Sequence, residues 1–217
     1  MQWRLRSLIL GLLLPLIMMS CGGRPPVIQD LQWNLFYRDD GTHRYEELLL
    51  LFRVNDADDI EDPALAEVRL GDTGLLWQFP RNSWKLGSDG EVEWWGLPAM
   101  IPLEDFRFPS GLFVLRVEDL SGRSDEMTFR LPSSRLREEE LEWPRPTFEK
   151  DLFRLDETYP KAFVFLRDEA GRSRRSGEIT DGTSFLANEA VEWEAWIPLE
   201  DSGTGFRLGP YPLSSTE

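Results

Sequence analysis

The feature that most restricts the fold of this chain is a period of two. Over residues 27–38, Leu31, Trp33 and Leu35 can share one side while Gln32 and Asn34 take the other. Residues 112–118 repeat the pattern, with Phe113, Leu115 and Val117 opposed to Arg116 and Glu118, and Met127, Phe129 and Leu131 repeat it again. Successive side chains of a strand point to opposite faces, so such alternation marks strands buried on one side. Residues 45–54 (YEELLLLFRV) form the most apolar run after the leader and read as a central strand. Turn signals separate these runs: Asp39-Asp40-Gly41-Thr42, Gly71-Asp72-Thr73-Gly74, Ser88-Asp89-Gly90 and Leu120-Ser121-Gly122-Arg123. Shorter strands are predicted over 65–70, 75–79, 83–86 and 91–95. After residue 146 they are predicted over 148–155, 162–167, 184–186, 191–196 and 206–208. Many short strands at close spacing predict an all-β protein.

The first 23 residues follow a different rule. Arg4 and Arg6 precede an almost wholly apolar run from Leu8 to Met19, and Ser20-Cys21 closes it. Charge, a short apolar core and a small residue are the layout of a secretory signal, and a dozen residues fall short of the roughly 20 that span a bilayer. With Met18-Met19-Ser20 before Cys21, the leader resembles those of bacterial lipoprotein precursors. The resemblance implies a signal peptide over 1–20, cleavage before Cys21, lipid on that cysteine and a tether over 21–26. It thereby implies a membrane held through acyl chains in a bacterial cell envelope. Gly22 stands where the better-known sorting systems place an inner-membrane retention aspartate, which favours the outer membrane, periplasmic or surface-exposed. Cys21 is the only cysteine, so the lipid that the resemblance implies would leave the mature chain no thiol for a disulfide, a zinc–thiolate site or a nucleophile, and it would stand on its core alone.

Residues 54–60, followed by 109–122 (PSGLFVLRVEDLSG), resemble bacterial immunoglobulin-like or fibronectin-III-like modules. The resemblance implies one immunoglobulin-like β-sandwich over about 27–132. Residues 133–146, with the charged run RLREEELE and Trp143-Pro144-Arg145-Pro146, read as a linker with room for a helical turn or two before the prolines. A smaller β-rich unit over 147–217, packed on the first, completes the expected architecture. Two fragments recur across the halves: FVLRVEDLSGRS (113–124) with FVFLRDEAGRS (163–173), and VEWW with IPLED (92–95 and 101–105) with VEWEAWIPLED (191–201). Their order is reversed, which argues against tandem duplication.

A net charge of −15 sets the chain against nucleic acid, whose binding rests on neutralised phosphates. Three groups of residues are candidate sites. The loop over 55–63 offers Asp56, Asp58, Asp59 and Asp62 as oxygen ligands for calcium, the one cofactor the composition suggests. Ile60 and the lack of a following glycine break the EF-hand spacing, and loop acids that cap their own backbone are the plainer reading. Eight tryptophans follow the leader; Trp94, Trp95, Trp193 and Trp196 sit at strand positions where an outward ring offers a platform for a sugar. Trp94 and Trp95 are adjacent and must face opposite ways, and core packing is the plainer use of most of the rings. Arg172, Arg174 and Arg175 form a basic patch suited to phosphate or carboxylate, or to a hairpin tip balancing Asp168, Glu169 and Glu178. The only histidine, His43, lies in a turn signal, and no Gly-x-Ser-x-Gly or phosphate-cradling motif occurs. The expectation is a lipid-anchored, non-enzymatic binding or scaffolding module with an envelope protein or a glycan as partner. A glycoside hydrolase built on two carboxylates is the remaining enzymatic alternative.

Overall fold

The computed structural model describes residues 24–55, 63–71, 73–89, 92–102, 106–149, 152–155, 158–180, 190–199 and 203–213. These form strands β1 (Val27–Asp39), β2 (Arg44–Asn55), β3 (Pro63–Leu70), β4 (Leu76–Pro80), β5 (Lys85–Asp89), β6 (Val92–Gly96) and β7 (Gly111–Asp119). They continue with β8 (Ser124–Leu131), β9 (Thr147–Glu149), β10 (Leu152–Arg154), β11 (Ala162–Arg167), β12 (Ser173–Ile179), β13 (Glu192–Pro198) and β14 (Thr204–Pro212). No α-helix occurs among the described residues, and so none long and apolar enough to cross a membrane. The protein is all-β.

A mixed sheet of eight strands, curled into a half-barrel, runs β12-β11-β13-β14-β1-β2-β6-β5. An antiparallel sheet of four runs β4-β3-β7-β8, and β9 and β10 make a small hairpin. Inside the large sheet β1 is parallel to β14, with Tyr37 beside Phe206, and every other pair is antiparallel. The turn predicted at 39–42 joins β1 to β2. Asp40 Oδ1 accepts the N–H groups of Thr42 and His43 at 2.8 and 2.7 Å, and Gly41 takes a φ of 86°.

Two hydrophobic cores lie side by side on the same face of the large sheet. In the first, Leu35, Leu48, Leu50, Phe52 and Trp95 meet Val68, Phe113, Leu115, Val117 and Phe129 of the four-stranded sheet. In the second, Phe206, Leu208, Trp193, Ile197, Val164 and Leu166 are covered by Leu141, Phe153, Leu155 and Tyr159. Leu35 and Tyr37, two residues apart and so on one face of β1, belong to different cores. Between the cores sits Glu46, fully buried opposite Tyr37. Arg135 Nε donates to its Oε1 at 3.1 Å, Arg135 Nη2 to its Oε2 at 2.8 Å, and the Phe108 N–H to Oε2 at 2.8 Å. The linker over 133–146 thus delivers the cation for a buried carboxylate at the seam.

The structure departs from the sequence reading at several places. The C-terminal strands join the first unit edge to edge through the β1–β14 pair, rather than lying on it as a separate layer. The strand expected over 148–155 is two, β9 and β10, and the one expected over 83–86 starts two residues later, after a 3₁₀ turn at Arg81–Ser83. The charged run makes a single 3₁₀ turn, Glu138–Glu140, in which the Arg137 N–H and guanidinium donate to the Glu140 carboxylate. Residues 184–186 lie outside the described residues. The recurrent fragments form the same turn twice. Asp119 Oδ1 accepts from the Ser121 and Arg123 N–H groups and Oδ2 from the Arg123 guanidinium. Asp168 does the same with Ala170 and Arg172, and Gly122 and Gly171 supply φ values of 81° and 71°.

Candidate functional site

Both cores cover one face of the eight-stranded sheet, so the other face is where the outward side chains of its strands collect. On that face the registers align Gln32 of β1, Leu51 of β2, Gly96 of β6 and Lys85 of β5 directly across four strands. One step along, Trp94 lies opposite Gly87. Arg53 of β2 brings its guanidinium to 5.8 Å from the Trp94 ring centroid, within cation–π range. Gln32, Leu51, Lys85, Gly87, Trp94 and Gly96, together with Leu86 and Ser88, line a cleft of about 380 Å³. Two of the facing positions, Gly87 and Gly96, carry no side chain, and that is what opens the floor before the Trp94 ring.

Gly87 has no local reason to be glycine. Its φ lies outside the left-handed region, the β5–β6 register runs through it without a bulge, and an added Cβ meets, beyond its chain neighbours, no atom of the described residues within 4 Å. A glycine inside a strand weakens it, and without a bulge or a bend the remaining use is close approach by something else. At Gly96 an added Cβ comes within 3.3 Å of a Leu51 methyl, so packing against Leu51 accounts for that one.

The candidate tryptophans divide cleanly. Trp95 is buried in the first core, edge-on to Trp84 at 6.1 Å, and Trp193 in the second, edge-on to Phe153 at 5.8 Å. Neither is a platform: alternation turns each ring inward as its neighbour on the strand turns out. Trp94 and Trp196 belong to neither core and share the outer face, but three strands, β14, β1 and β2, lie between theirs, and the registers offset the two rings by about eight residues along the strands. Trp196 is boxed in by Phe36 at 5.4 Å, Phe165 at 4.9 Å and the Arg207 guanidinium at 5.4 Å, and its indole N–H donates to Glu194 at 2.8 Å. Against Trp94, among the described residues, stands one such partner, Arg53.

Beside Trp196 lies a cluster the sequence reading missed. Glu194, only 1% exposed, accepts from Arg207, from Arg167 at 2.6 Å and from Arg38 at 3.4 Å, while Arg207 also bonds Glu47. Burial pushes the Glu194 carboxyl up, but Arg207, Trp196 and Arg167 outweigh it and hold the pKa below the usual glutamate value. The signal was present: Glu194 stands between inward Trp193 and Ala195, so it falls on the opposite face among the residues of neighbouring strands. Such a network fixes β1, β2, β11, β13 and β14 to one another and needs all its members.

The basic patch is largely spent on its own hairpin. Arg172 and Arg174 both reach Asp168 Oδ2 at 2.9 Å, and Arg174 and Arg175 lie on β12 rather than at the tip, which residues 168–172 form. The Arg172 N–H and guanidinium and the Ala170 N–H hold Asp168 below the usual aspartate range. The calcium candidates Asp56, Asp58, Asp59 and Asp62, and Cys21 with its leader, lie outside the described residues. Among the described residues no group of three or more His, Cys, Asp or Glu is placed to hold a metal ion. Compared with the models of known protein families and with curated proteins, the chain matches none.

Proposed function

We propose that this is a lipid-anchored protein of a bacterial cell envelope that acts as a non-enzymatic binding module. The observation that carries the reading is the one-sided use of the large sheet: both cores occupy one face, and the opposite face holds a cleft with a tryptophan, a lysine and a bare glycine floor. Pockets that take small ligands measure roughly 300–1,000 Å³, apolar with a few polar groups at the rim, and the cleft is of that kind. Leu51 and Trp94 supply the apolar part; Gln32, Lys85 and Ser88 supply the polar part.

The immunoglobulin-like reading of residues 27–132 is supported by strand order. The set β1-β2-β6-β5 facing β4-β3-β7-β8 corresponds to strands A-B-E-D over C-F-G with one strand added beside C. The lipid anchor rests on the leader and Cys21 alone, and the outer-membrane destination on Gly22.

Two measurements test the proposal. Mass analysis of the native protein is expected to find the chain beginning at Cys21 and carrying acyl mass; an uncleaved, unmodified terminus removes the anchor. Crosslinking in intact cells is expected to capture an envelope protein or glycan at the outer face of the large sheet. Capture only through the four-stranded sheet overturns the assignment of the binding face.

A further inference from the structure

We propose that the Trp94 cleft binds an acidic saccharide, with a sugar ring stacked on Trp94 over Gly87 and its carboxylate at Lys85. The inference rests on the binding-module reading and names its ligand. Three observations point to this chemistry.

The first is the shape. Trp94 stands beside a position where a side chain is absent although backbone and space would accept one. A flat ring lying against an indole needs that clearance, because the apolar C–H face of a sugar meets the π system at van der Waals distance. A side chain at Gly87 would occupy the ligand's place.

The second is charge. On a chain of net charge −15, the cleft lining holds Lys85 and, among the described residues, no carboxylate, and Arg53 adds a second cation beside the ring. Asp30, an acid on that face, is paired with Arg53 in the strand register and accepts the Leu31 N–H on its Oδ1 at 2.8 Å. Lys85 has no ion pair among the described residues. A cation with no acidic partner among the described residues, one strand from an open aromatic ring, suits an anion attached to a ring.

The third observation argues against the main competitor, an extended peptide added to the free edge of β5. That strand is five residues long, carries an exposed lysine and has a glycine at its centre. Short length and edge lysines are the features by which sheets discourage strand addition. The cleft opens on the face of the sheet, across β1, β2, β6 and β5, rather than along its edge.

The test is titration of the full chain in detergent with uronic acid oligosaccharides of galacturonate, glucuronate and mannuronate type, and with maltotetraose as the neutral probe. Tryptophan fluorescence and calorimetry are the readouts. At least one uronate oligomer is expected to bind saturably and to change the fluorescence. Gly87→Val and Trp94→Ala are expected each to weaken it tenfold or more. Trp196→Phe should leave it unchanged, and Lys85→Gln should weaken it several-fold. Gly87→Ala serves as the check on folding, since its Cβ meets nothing; a circular dichroism melt matching the parent is expected. No saturable uronate binding overturns the proposal, as does binding that survives Gly87→Val. Maltotetraose bound as tightly as the uronates overturns the acidic class. Crosslinking that still captures a partner at the outer face, with every saccharide silent, overturns the ligand and leaves the binding-module reading standing.

Discussion

The first core is closed by a second sheet, the second by the irregular middle of the chain. Over the first, β3, β7 and β8 lay a regular inner surface of Val68, Phe113, Leu115, Val117 and Phe129 against β1, β2 and β6. Over the second, Leu141, Phe153, Leu155 and Tyr159 reach down from the linker and a hairpin of three-residue strands. Sheet-on-sheet contact interlocks two pleated surfaces, whereas loops must place each side chain separately while satisfying their own backbone. Tyr159 illustrates the second way: its ring stands edge-on to Phe206 at 5.8 Å and its hydroxyl donates to the Glu142 carbonyl at 2.5 Å. One sheet therefore supports two roofs of different regularity, and the seam between them is held by an ion pair.

The largest effects should come from emptying either core. Phe113→Ala removes a ring touching Trp77, Phe108 and Phe129 and is expected to cost about 3–5 kcal/mol in urea denaturation. Phe153→Ala, fully buried but with a less regular cover that can collapse, should cost about 3 kcal/mol, toward the low end of that range. Equal or reversed costs would break the contrast between the roofs. Next is the seam: Glu46→Gln keeps the shape but removes the charge facing Arg135 and should cost about 2–3 kcal/mol. If it costs under about 0.5 kcal/mol, the two cores do not depend on that ion pair.

Smaller still is the acid sensitivity of the twin turns, one in each region. At Asp119 burial raises the pKa, but the Arg123 and Ser121 N–H groups and the Arg123 guanidinium outweigh it and lower it overall. At Asp168 the Arg172 N–H lowers it first, with burial opposing. A carboxylate whose pKa is lower folded than unfolded stabilises the fold above the unfolded value, near pH 4, and loses that contribution as pH falls through the folded value. Thermal melts between about pH 5 and 2 should therefore lose stability in the parent, and Asp119→Asn and Asp168→Asn should each flatten the loss. Unchanged slopes in both would show that the turns are held by backbone alone. The smallest effect is expected at Trp94→Ala, within about 0.5 kcal/mol, since no core packs on that ring. Its neighbour Trp95, 7% exposed in the first core, should cost several-fold more on the same substitution.

Strand identity was legible where alternation is strong. β1, β7 and β8 lie where period two predicts and β2 where the apolar run over 45–54 does, and Phe113, Leu115 and Val117 all face inward. The opposition of Trp94 and Trp95 was legible for the same reason. Pairing was not: nothing local in β14 says that it runs parallel to β1, because period two fixes which face a residue takes and not which strand lies beside it. For that reason the sequence reading separated a unit that the sheet joins. Trp193 and Trp196, three apart, could have been assigned to opposite faces, and the glycine opposite Trp94 was visible only once the β5–β6 register was known. The ligands of Glu194 come from β1, β11 and β14, far apart in the sequence, and no spacing rule connects them.

The parallel seating of β14 beside β1 has a consequence for biogenesis. Of the described strands β1 comes first and its neighbour β14 last, so until residues 204–212 emerge that flank of β1 stays unzipped, its amides and carbonyls turned to whatever is near. A chain crossing a membrane amino end first would spend its whole passage with that flank unguarded. Premature stop codons anywhere upstream of β14 should therefore yield sticky polypeptides rather than shortened working ones.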